Sequence, residues 1–238
     1  MKQIILPVNC PEKYIVRGEL YSHIVKVLRY KKGTTLKGLD INNQRYDALI
    51  NEISKDSCEL TVKSINSYPM KSNICLFQSM PKGKKIDNII RSATELGTSE
   101  ITPIFTEFSC VKSVETQKIK RFQKIAVEAL QQSGSEIYTK INTPIPFASL
   151  PEIGKGEIGI IFHQDASIQI KPDMFLRSEI KKINIIIGPE GGFSKKEIAS
   201  IIEKGYISLL LGRNILRVET AAISAIGFIN TLFSGKDN

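Results

Sequence analysis

The sequence has little of what usually marks a metal site or a disulfide framework. Its four cysteines, at positions 10, 58, 75 and 110, include no CxxC pair, and His23 and His163 are the only histidines. Cysteine and histidine at short regular spacings are what zinc sites and disulfide-rich scaffolds require. We therefore expect no metal and no disulfide network.

Long apolar runs and common nucleotide-binding motifs are also missing. No apolar stretch approaches the length of a membrane span, and no charged-then-apolar signal segment opens the chain. A reducing cytoplasm is therefore the expected location. Neither GxGxxG nor GxxxxGK[ST] occurs, so dinucleotide and NTP binding have no specific support. There is no internal repeat and no low-complexity tract.

One kind of residue is in excess. The 238 residues include 33 Lys and Arg against 24 Asp and Glu, which gives a net charge of +9 and a pI near 9.3. A positive balance of this size favours a polyanionic partner that binds in a salt-sensitive way. The alternative is a generally basic protein with no such partner.

The first seventy residues differ in pattern from the rest. Short, partly alternating apolar segments are separated by Gly, Asn, Asp or Ser, which is typical of strands. They predict a small β-rich module, with one helix at residues 20–29 and a polar, proline-bearing joint at residues 66–71. The predicted strands cover residues 2–6, 34–39, 45–53 and 58–65.

From residue 74 onward, apolar strands alternate with amphipathic helices. Continuous apolar strands of this kind predict a parallel sheet with helices on both faces. Gly97 is expected to end the first helix. The predicted strands cover residues 74–78, 101–105, 158–162, 183–187 and 207–211, and the helices cover residues 86–96, 119–134 and 220–233, with another beginning at Lys195.

The stretch at residues 183–222, INIIIGPEGGFSKKEIASIIEKGYISLLLGRNILRVETAA, contains two glycine turns, each directly after an apolar run. Loops that follow parallel strands meet at the ligand-binding edge of an open α/β sheet. Ser194 and Glu197 form a capping-box pattern, which predicts a helix start there. A helix start of this kind is also a candidate phosphate-binding site. The alternative is a tight strand-to-helix turn with no ligand.

The second glycine turn leads into Arg217 and Glu219. Their largely apolar surroundings suggest a charge pair that is at least partly buried, since such groups are costly to bury unless they are partnered. The alternative is a helix-start glutamate favoured by the helix dipole, with Arg217 as its solvated neighbour.

Several spaced motifs resemble those of one family. IIIGPEGGFSKKEI and LLLGRNILRVETAA look like the signature of the RsmE family, SPOUT-superfamily enzymes that methylate N3 of a uridine in 16S ribosomal RNA with S-adenosylmethionine. MPKGKKIDNIIRSATELGTSEITPIF, VEALQQSG and HIVKVLR resemble further family segments. The resemblance covers nearly the whole chain.

The resemblance implies an α/β fold: a SPOUT-type parallel sheet with a C-terminal trefoil knot, preceded by a small β-rich PUA-like barrel domain. The domains would be residues 1–70, which bind RNA, and residues 71–238, which carry the methyltransferase. The knot, an exception to the usual unknotted connections, would involve roughly residues 162–225. A homodimer and a substrate within the 30S subunit are implied as well.

The resemblance also implies that S-adenosylmethionine binds in the knotted loops, where small and aliphatic residues let the backbone contact the adenine. His163 is also a candidate base or a structural residue, and Glu190 is a candidate ligand or a turn cap. The residues that match the family's cofactor site are His163, Gly188, Pro189, Glu190, Gly191, Leu211, Gly212, Ile215 and Leu216.

The chemistry of N3 methylation suggests roles for the two charged residues. A sulfonium methyl is already electrophilic, so no metal is needed, but uracil N3 must lose a proton while negative charge spreads to O2 and O4. The planar, always charged fork of Arg217 suits those oxygens. Glu219 would position Arg217 or help the proton leave.

Basic residues inside the family-like segments are candidate phosphate contacts: Arg29, Lys82, Lys84, Lys85 and Arg91. The alternative for any one of them is a solvated face. One position departs from the family pattern, because Ser135 follows Gly134 where relatives usually have arginine. The target is therefore less firmly implied than the reaction.

Alternative functions remain at this point. Another enzyme of the same fold would methylate a tRNA base or a ribose 2′-hydroxyl, although the β-rich first module and LGRNILRVETAA argue against it. A non-catalytic RNA-binding assembly factor is the other alternative, and the intact glycine loops and Arg217 speak against that.

Overall fold

The first seventy residues form a five-stranded sheet, as their partly alternating pattern predicts. The sheet order is β1-β3-β4-β5-β2, with β1 parallel to β3 and the other pairs antiparallel. Its apolar side is a core that includes Ile4, Ile24, Ile50 and Leu60. The strands are β1 (Gln3–Ile5), β2 (Lys13–Arg17), β3 (Thr35–Leu39), β4 (Arg45–Ile53) and β5 (Ser57–Ser64).

The helix predicted at residues 20–29 begins and ends two residues earlier than expected and is not uniformly α-helical. One α-helical turn, α1 (Gly18–Tyr21), continues as a π-helical segment at Ser22–Val27. Arg29 follows with a φ of 55°, in the left-handed region that glycine usually occupies at a helix end. An exposed arginine is therefore held in a strained backbone conformation.

The computed structural model describes residues 3–65, 74–175 and 180–233, and in them the chain divides into two units. The first takes in the described residues of Met1–Lys71 together with Leu130–Tyr138. Gln3 Nε2 donates to the Ser135 carbonyl at 3.0 Å, and Arg45 pairs with Glu136 at 2.9 Å. The joint predicted at residues 66–71 lies outside the described residues.

The second unit has a sheet in which every pairing is parallel, with order β12-β10-β11-β6-β7-β8 and β9 beside β7. Single-turn 3-10 helices lie at Phe147–Ser149 and Pro172–Phe175. The strands are β6 (Ile74–Ser79), β7 (Glu100–Phe105), β8 (Lys140–Ile141), β9 (Ile145–Pro146), β10 (Glu157–Phe162), β11 (Lys182–Ile187) and β12 (Tyr206–Leu209), and the helices are α2 (Lys85–Glu95), α3 (Thr116–Ser133), α4 (Lys195–Glu203) and α5 (Val218–Phe233).

Apolar side chains cover both faces of this sheet, as the runs of isoleucine predict. Alternate residues of β11 enter different clusters: Ile185 joins the core with α2 and α5, and Ile186 joins the core on the α4 face. Gly97, with a φ of 76°, follows α2 as the predicted stop. The parallel α/β class and the β-rich first module are therefore confirmed.

The strand order contains one feature that the sequence patterns did not predict. β11 lies between β10 and β6, although both of those strands come earlier in the chain. β10 and β6 are therefore not neighbours, and the later strand β11 occupies the position between them. The trefoil knot around residues 162–225 stays a prediction.

Gly159 offers a test of how tightly the sheet packs. A Cβ at this position would meet Ile153 and would lie 2.6 Å from Cδ1 of the buried Tyr206. We expect Gly159→Ala to lower the free energy of unfolding by about 1–3 kcal/mol through overpacking. Urea denaturation monitored by circular dichroism measures this change.

The matched control is Gly227→Ala in α5, where an added Cβ meets nothing within 4 Å. Alanine suits a helix interior better than glycine, so this variant should gain about 0.5–1 kcal/mol. Equal stability losses in both variants would contradict the packing at Gly159.

Candidate active site

A cavity in the second unit lies at the carboxyl ends of neighbouring strands. Its volume is about 410 Å³. Three chain segments, which follow β10, β11 and β12, supply nearly all of its lining, and Lys85 of α2 and Ala221 of α5 complete it. The register explains this convergence, because Phe162 of β10 pairs with Ile187 of β11 and with Leu209 of β12. The position agrees with the ligand edge of open parallel sheets.

The glycine loop after β11 is shaped by close packing. A Cβ on Gly188 would lie 2.8 Å from the Phe193 ring, and one on Gly191 would lie 3.0 Å from Phe108 Cβ. Gly192 has a φ of 71°, which disfavours other residues. This part of the wall therefore presents mostly backbone to the cavity.

The start of α4 is occupied by the chain's own side chains. Ser194 and Glu197 form the predicted capping box, with the Ser194 amide donating to Glu197 Oε2 at 2.9 Å and the Glu197 amide donating to Ser194 Oγ at 3.3 Å. Glu197 Oε1 also accepts from the Glu107 amide. Because a carboxylate already sits at this helix start, a phosphate cradle there is not supported.

The segment that follows β12 leaves its backbone donors free. In the described parts of the chain, the amides of residues 211–216 donate to no protein acceptor. All of these residues except Arg213 line the cavity. Leu211, Gly212 and Leu216 are half-buried, and half-buried amides normally find a partner, so these three free amides beside a cavity favour a ligand that accepts hydrogen bonds. The other three residues of the segment are exposed, and water can satisfy their amides.

Arg217 and Glu219 do not form the partly buried ion pair that their spacing suggested. Arg217 is exposed and lines the cavity, and within the described residues its guanidinium has neither a hydrogen bond nor an ion-pair partner. Residues two apart at a helix start do not face each other, which explains the missing contact. The predicted role of Glu219 in positioning Arg217 therefore has no contact to support it.

Glu219 has a different unusual feature. It lies in the first turn of α5, where the helix dipole favours a carboxylate. However, its Oε2 atom is buried and accepts no hydrogen bond from any described residue. A carboxylate oxygen in this state lacks a donor that burial should require. Glu219 does not line the cavity, but its charge acts on Lys85, and Lys85 does line the cavity.

Glu190 of the glycine loop is held by the turn before α2. Its Oε1 accepts from Lys85 Nζ at 2.6 Å and from the Lys82 amide at 3.3 Å. Burial acts to raise the pKa of Glu190, but the hydrogen bond from Lys85, the backbone hydrogen bonds and the charge of Lys85 together outweigh it, so that the pKa lies below its ordinary value. Glu190 is therefore ionised at neutral pH and its role is to join two loops of the site.

His163 lies directly after β10 and lines the cavity. Its Nε2 is 2.7 Å from Ser208 Oγ, and burial lowers its pKa although Asp165 acts in the opposite direction. The ring is therefore neutral at neutral pH. The hydrogen bond to Ser208 agrees with the structural alternative for His163 rather than with a free base.

All nine residues predicted to bind the cofactor line this one cavity, together with Arg217. Other lining residues, including Gln164, Asp165 and Asn214, were not predicted. Gln164 and Asp165 lie in no distinctive motif, and Asn214 lies within the second motif but no role was assigned to it. That these residues bind a cofactor stays a prediction.

The candidate RNA contacts occupy separate parts of the chain. Lys82 and Lys84 are exposed in the turn before α2, and Arg91 is exposed on α2, with its Nη1 3.1 Å from Asn88 Oδ1. Arg29 lies in the first unit. Of the basic residues singled out in the sequence, only Lys85 and Arg217 line the cavity.

Among residues 3–65, 74–175 and 180–233, no group of three or more His, Cys, Asp or Glu side chains is arranged to hold a metal ion. The helices of these ranges include none with the length and apolar character that crossing a membrane requires.

Known proteins resemble this chain over its whole length. A family model described as an RNA methyltransferase domain matches residues 68–230, and an RNA methyltransferase PUA domain matches residues 16–63. The chain is 36% identical over 239 residues to ribosomal RNA small subunit methyltransferase E 2 of Borreliella burgdorferi, with 98% of each sequence covered.

Solved structures agree with that similarity. A Legionella pneumophila protein, solved with S-adenosylmethionine bound, is 27% identical with a TM-score of 0.80, and 96% of each chain is covered. Ribosomal RNA small subunit methyltransferase E of Neisseria gonorrhoeae, also solved with S-adenosylmethionine, has a TM-score of 0.86 over 98% of each chain. At 24% identity the second likeness shows the fold alone.

The lowered pKa of His163 predicts a pH effect on stability. Below the ordinary histidine pKa of about 6.5, the unfolded chain binds a proton at this residue that the folded chain resists. Stability is therefore lost as pH falls through that value, and His163→Gln should reduce the loss. Free energies of unfolding of the two proteins, measured near pH 7.5 and pH 5.5, test this expectation. These pH values lie roughly one unit above and one unit below the ordinary histidine pKa. An equal loss in both proteins would contradict the effect of burial.

Proposed function

Because this chain belongs to the ribosomal RNA small subunit methyltransferase E family, RsmE, we propose that it transfers a methyl group from S-adenosylmethionine to N3 of a uridine in 16S ribosomal RNA. The substrate is the small subunit or its RNA. A homodimer, a knotted path at residues 162–225 and a cytoplasmic location belong to the same proposal.

The free amides of residues 211–216 are the observation that carries the proposal. Adenine presents ring nitrogens that accept hydrogen bonds and two broad apolar faces. Free backbone donors beside Leu211, Ile215 and Leu216 fit both properties. The side-chain-poor loop Gly188–Gly192 leaves room for the rest of the cofactor. The cavity therefore fits S-adenosylmethionine.

S-adenosylmethionine bound in this cavity would supply an electrophilic methyl group, and the sulfur would leave as the thioether of S-adenosylhomocysteine when N3 takes the methyl carbon. The protein's part is to hold the uracil in line and to stabilise the charge on O2 and O4 as N3 loses its proton. Arg217 is suited to that charge, because its guanidinium lines the cavity and has no partner among residues 3–65, 74–175 and 180–233. Its planar fork meets carbonyl oxygens in its own plane.

Glu219 is assigned to the proton. Its Oε2 is a buried acceptor with no donor among the described residues, so an N–H group brought near it would supply the missing hydrogen bond. The neutral His163 is already bonded to Ser208. Because Glu219 does not line the cavity, it accepts the N3 hydrogen through water as the N3–carbon bond forms.

RNA binding is assigned to the exposed basic residues Arg29, Lys82, Lys84 and Arg91. The strained backbone at Arg29 supports its assignment, since a left-handed arginine costs about 1–2 kcal/mol that glycine would avoid. Phosphate contacts of this kind fix the register of the RNA without reading its bases. Ser135, where relatives usually have arginine, instead holds Gln3 through its carbonyl.

The proposal is tested by incubating the protein with methyl-labelled S-adenosylmethionine and unmodified 30S subunits, with free 16S RNA and tRNA in parallel. Digested RNA is separated by chromatography and the labelled nucleoside is identified by mass. We expect label in 3-methyluridine from the subunit sample. Label in tRNA or on a ribose would replace the proposed target, and cofactor binding without any label would contradict the proposed substrate.

Arg217→Ala should abolish most turnover while cofactor affinity is largely kept. Loss of a charge-stabilising donor typically costs about 10²–10³ in rate, and here the lost group opposes the charge on O2 and O4. Single-turnover methylation and calorimetric titration of S-adenosylmethionine measure the two effects.

The matched control is Arg213→Ala, which removes an exposed arginine of the same segment that does not line the cavity. We expect this variant to keep the rate of methyl transfer at saturating RNA. Unchanged turnover in Arg217→Ala would sink the assignment.

A further inference from the structure

Lys85 differs from the other lysines of its segment in where its side chain lies. Lys82 and Lys84 are exposed, whereas Lys85 is half-buried and lines the cavity. Its Nζ is 2.6 Å from Glu190 Oε1. The pKa of Lys85 lies above its ordinary value because of that hydrogen bond, and the charges of Glu219 and Arg217 also act on it. The ammonium is therefore charged at neutral pH and close to both groups assigned to catalysis.

Helix stability does not explain a lysine at this position. Lys85 is the first residue of α2, where the helix dipole disfavours a cation. Its ion pair with Glu190 is partly exposed to solvent, and pairs of that kind contribute little to stability. Neither effect gives a structural reason for a lysine at this position.

The ammonium group of Lys85 also has hydrogen-bond donors that the described residues do not use. An ammonium group has three N–H donors, and in the described residues Lys85 uses one of them, toward Glu190. Two donors are left beside the cavity. Glu190 of the glycine loop accepts one N–H of the ammonium group, and the other two N–H groups remain available to a ligand.

We propose that Lys85 is a second catalytic cation, whose ammonium group opposes Arg217 across the uracil ring and stabilises the negative charge that develops on it. This inference rests on the proposed methylation at N3. N3 lies between two carbonyl groups, and loss of its proton places charge on both oxygens. The Arg217 guanidinium stabilises the charge on one side of that anion, and a second cation stabilises the charge on the other side.

The proposal is tested by single-turnover methylation at saturating 30S subunits and saturating cofactor across a range of pH. We expect Lys85→Met to slow methyl transfer by about 10²-fold, the cost of one charge-stabilising donor, while the Kd for S-adenosylmethionine changes little. Its rate should continue to rise at pH values where the wild type has levelled off, because N3 deprotonates less readily without the ammonium. Lys85→Arg should recover part of the rate.

The charges that act on Lys85 are those of Glu190, Glu219 and Arg217, and the titratable groups His163 and Asp165 line the same cavity. All five are unchanged in these variants. The matched control is Lys84→Met, the exposed neighbour. It should weaken RNA binding and flatten its salt dependence but keep the wild-type pH profile. Circular dichroism confirms that each variant is folded.

An unaltered pH profile in Lys85→Met, or a loss that saturating RNA restores, would show a phosphate contact and overturn the proposal. Label in a nucleoside other than 3-methyluridine would overturn the proposed function instead. In that case the comparison of Lys85→Met with the wild type still decides whether Lys85 stabilises charge on the substrate.

Discussion

The site depends on one structural constraint, the parallel pairing of β11 between β10 and β6. This pairing aligns Phe162, Ile187 and Leu209 at one height, so the three following loops must meet at one edge of the sheet. Had β11 paired beside β8 at the opposite edge of the sheet, its glycine loop would lie far from the loops that follow β10 and β12. The apolar residues on both faces of β11 fix its central position, since that strand would be costly to expose.

From that alignment follows a site made mainly of backbone. The glycine loop is packed so closely against Phe193 and Phe108 that side chains are excluded, and the amides after β12 have no acceptor of their own. Such a surface binds a flat, apolar ligand with hydrogen-bonding edges without moving side chains. Because little side-chain entropy is lost on binding, the arrangement is organised before the ligand arrives.

The sequence predicted the elements of this fold better than their arrangement. Apolar runs identified most strands of both sheets, and the capping box placed the start of α4 correctly. β2 was missed because Lys13 and Arg17 flank it and Ile15 points to solvent, so only Val16 is buried. The order of the strands was not predictable, since it depends on contacts between distant segments. The same reason hid the pairing of Lys85 with Glu190, which are 105 positions apart.

The separation of Arg217 from Glu219 has a consequence for the proposed chemistry. Had the two formed a buried pair, each would have satisfied the other, and removing a partner to reach the substrate would cost several kcal/mol. At the start of α5 they face different ways, so the cation stays available for oxygen and the carboxylate for a proton. Loss of the N3 proton creates both needs at the same moment. A ligand that brings an acceptor to Arg217 and a donor to Glu219 is therefore bound best when its proton is leaving, and that preference lowers the barrier to reaction.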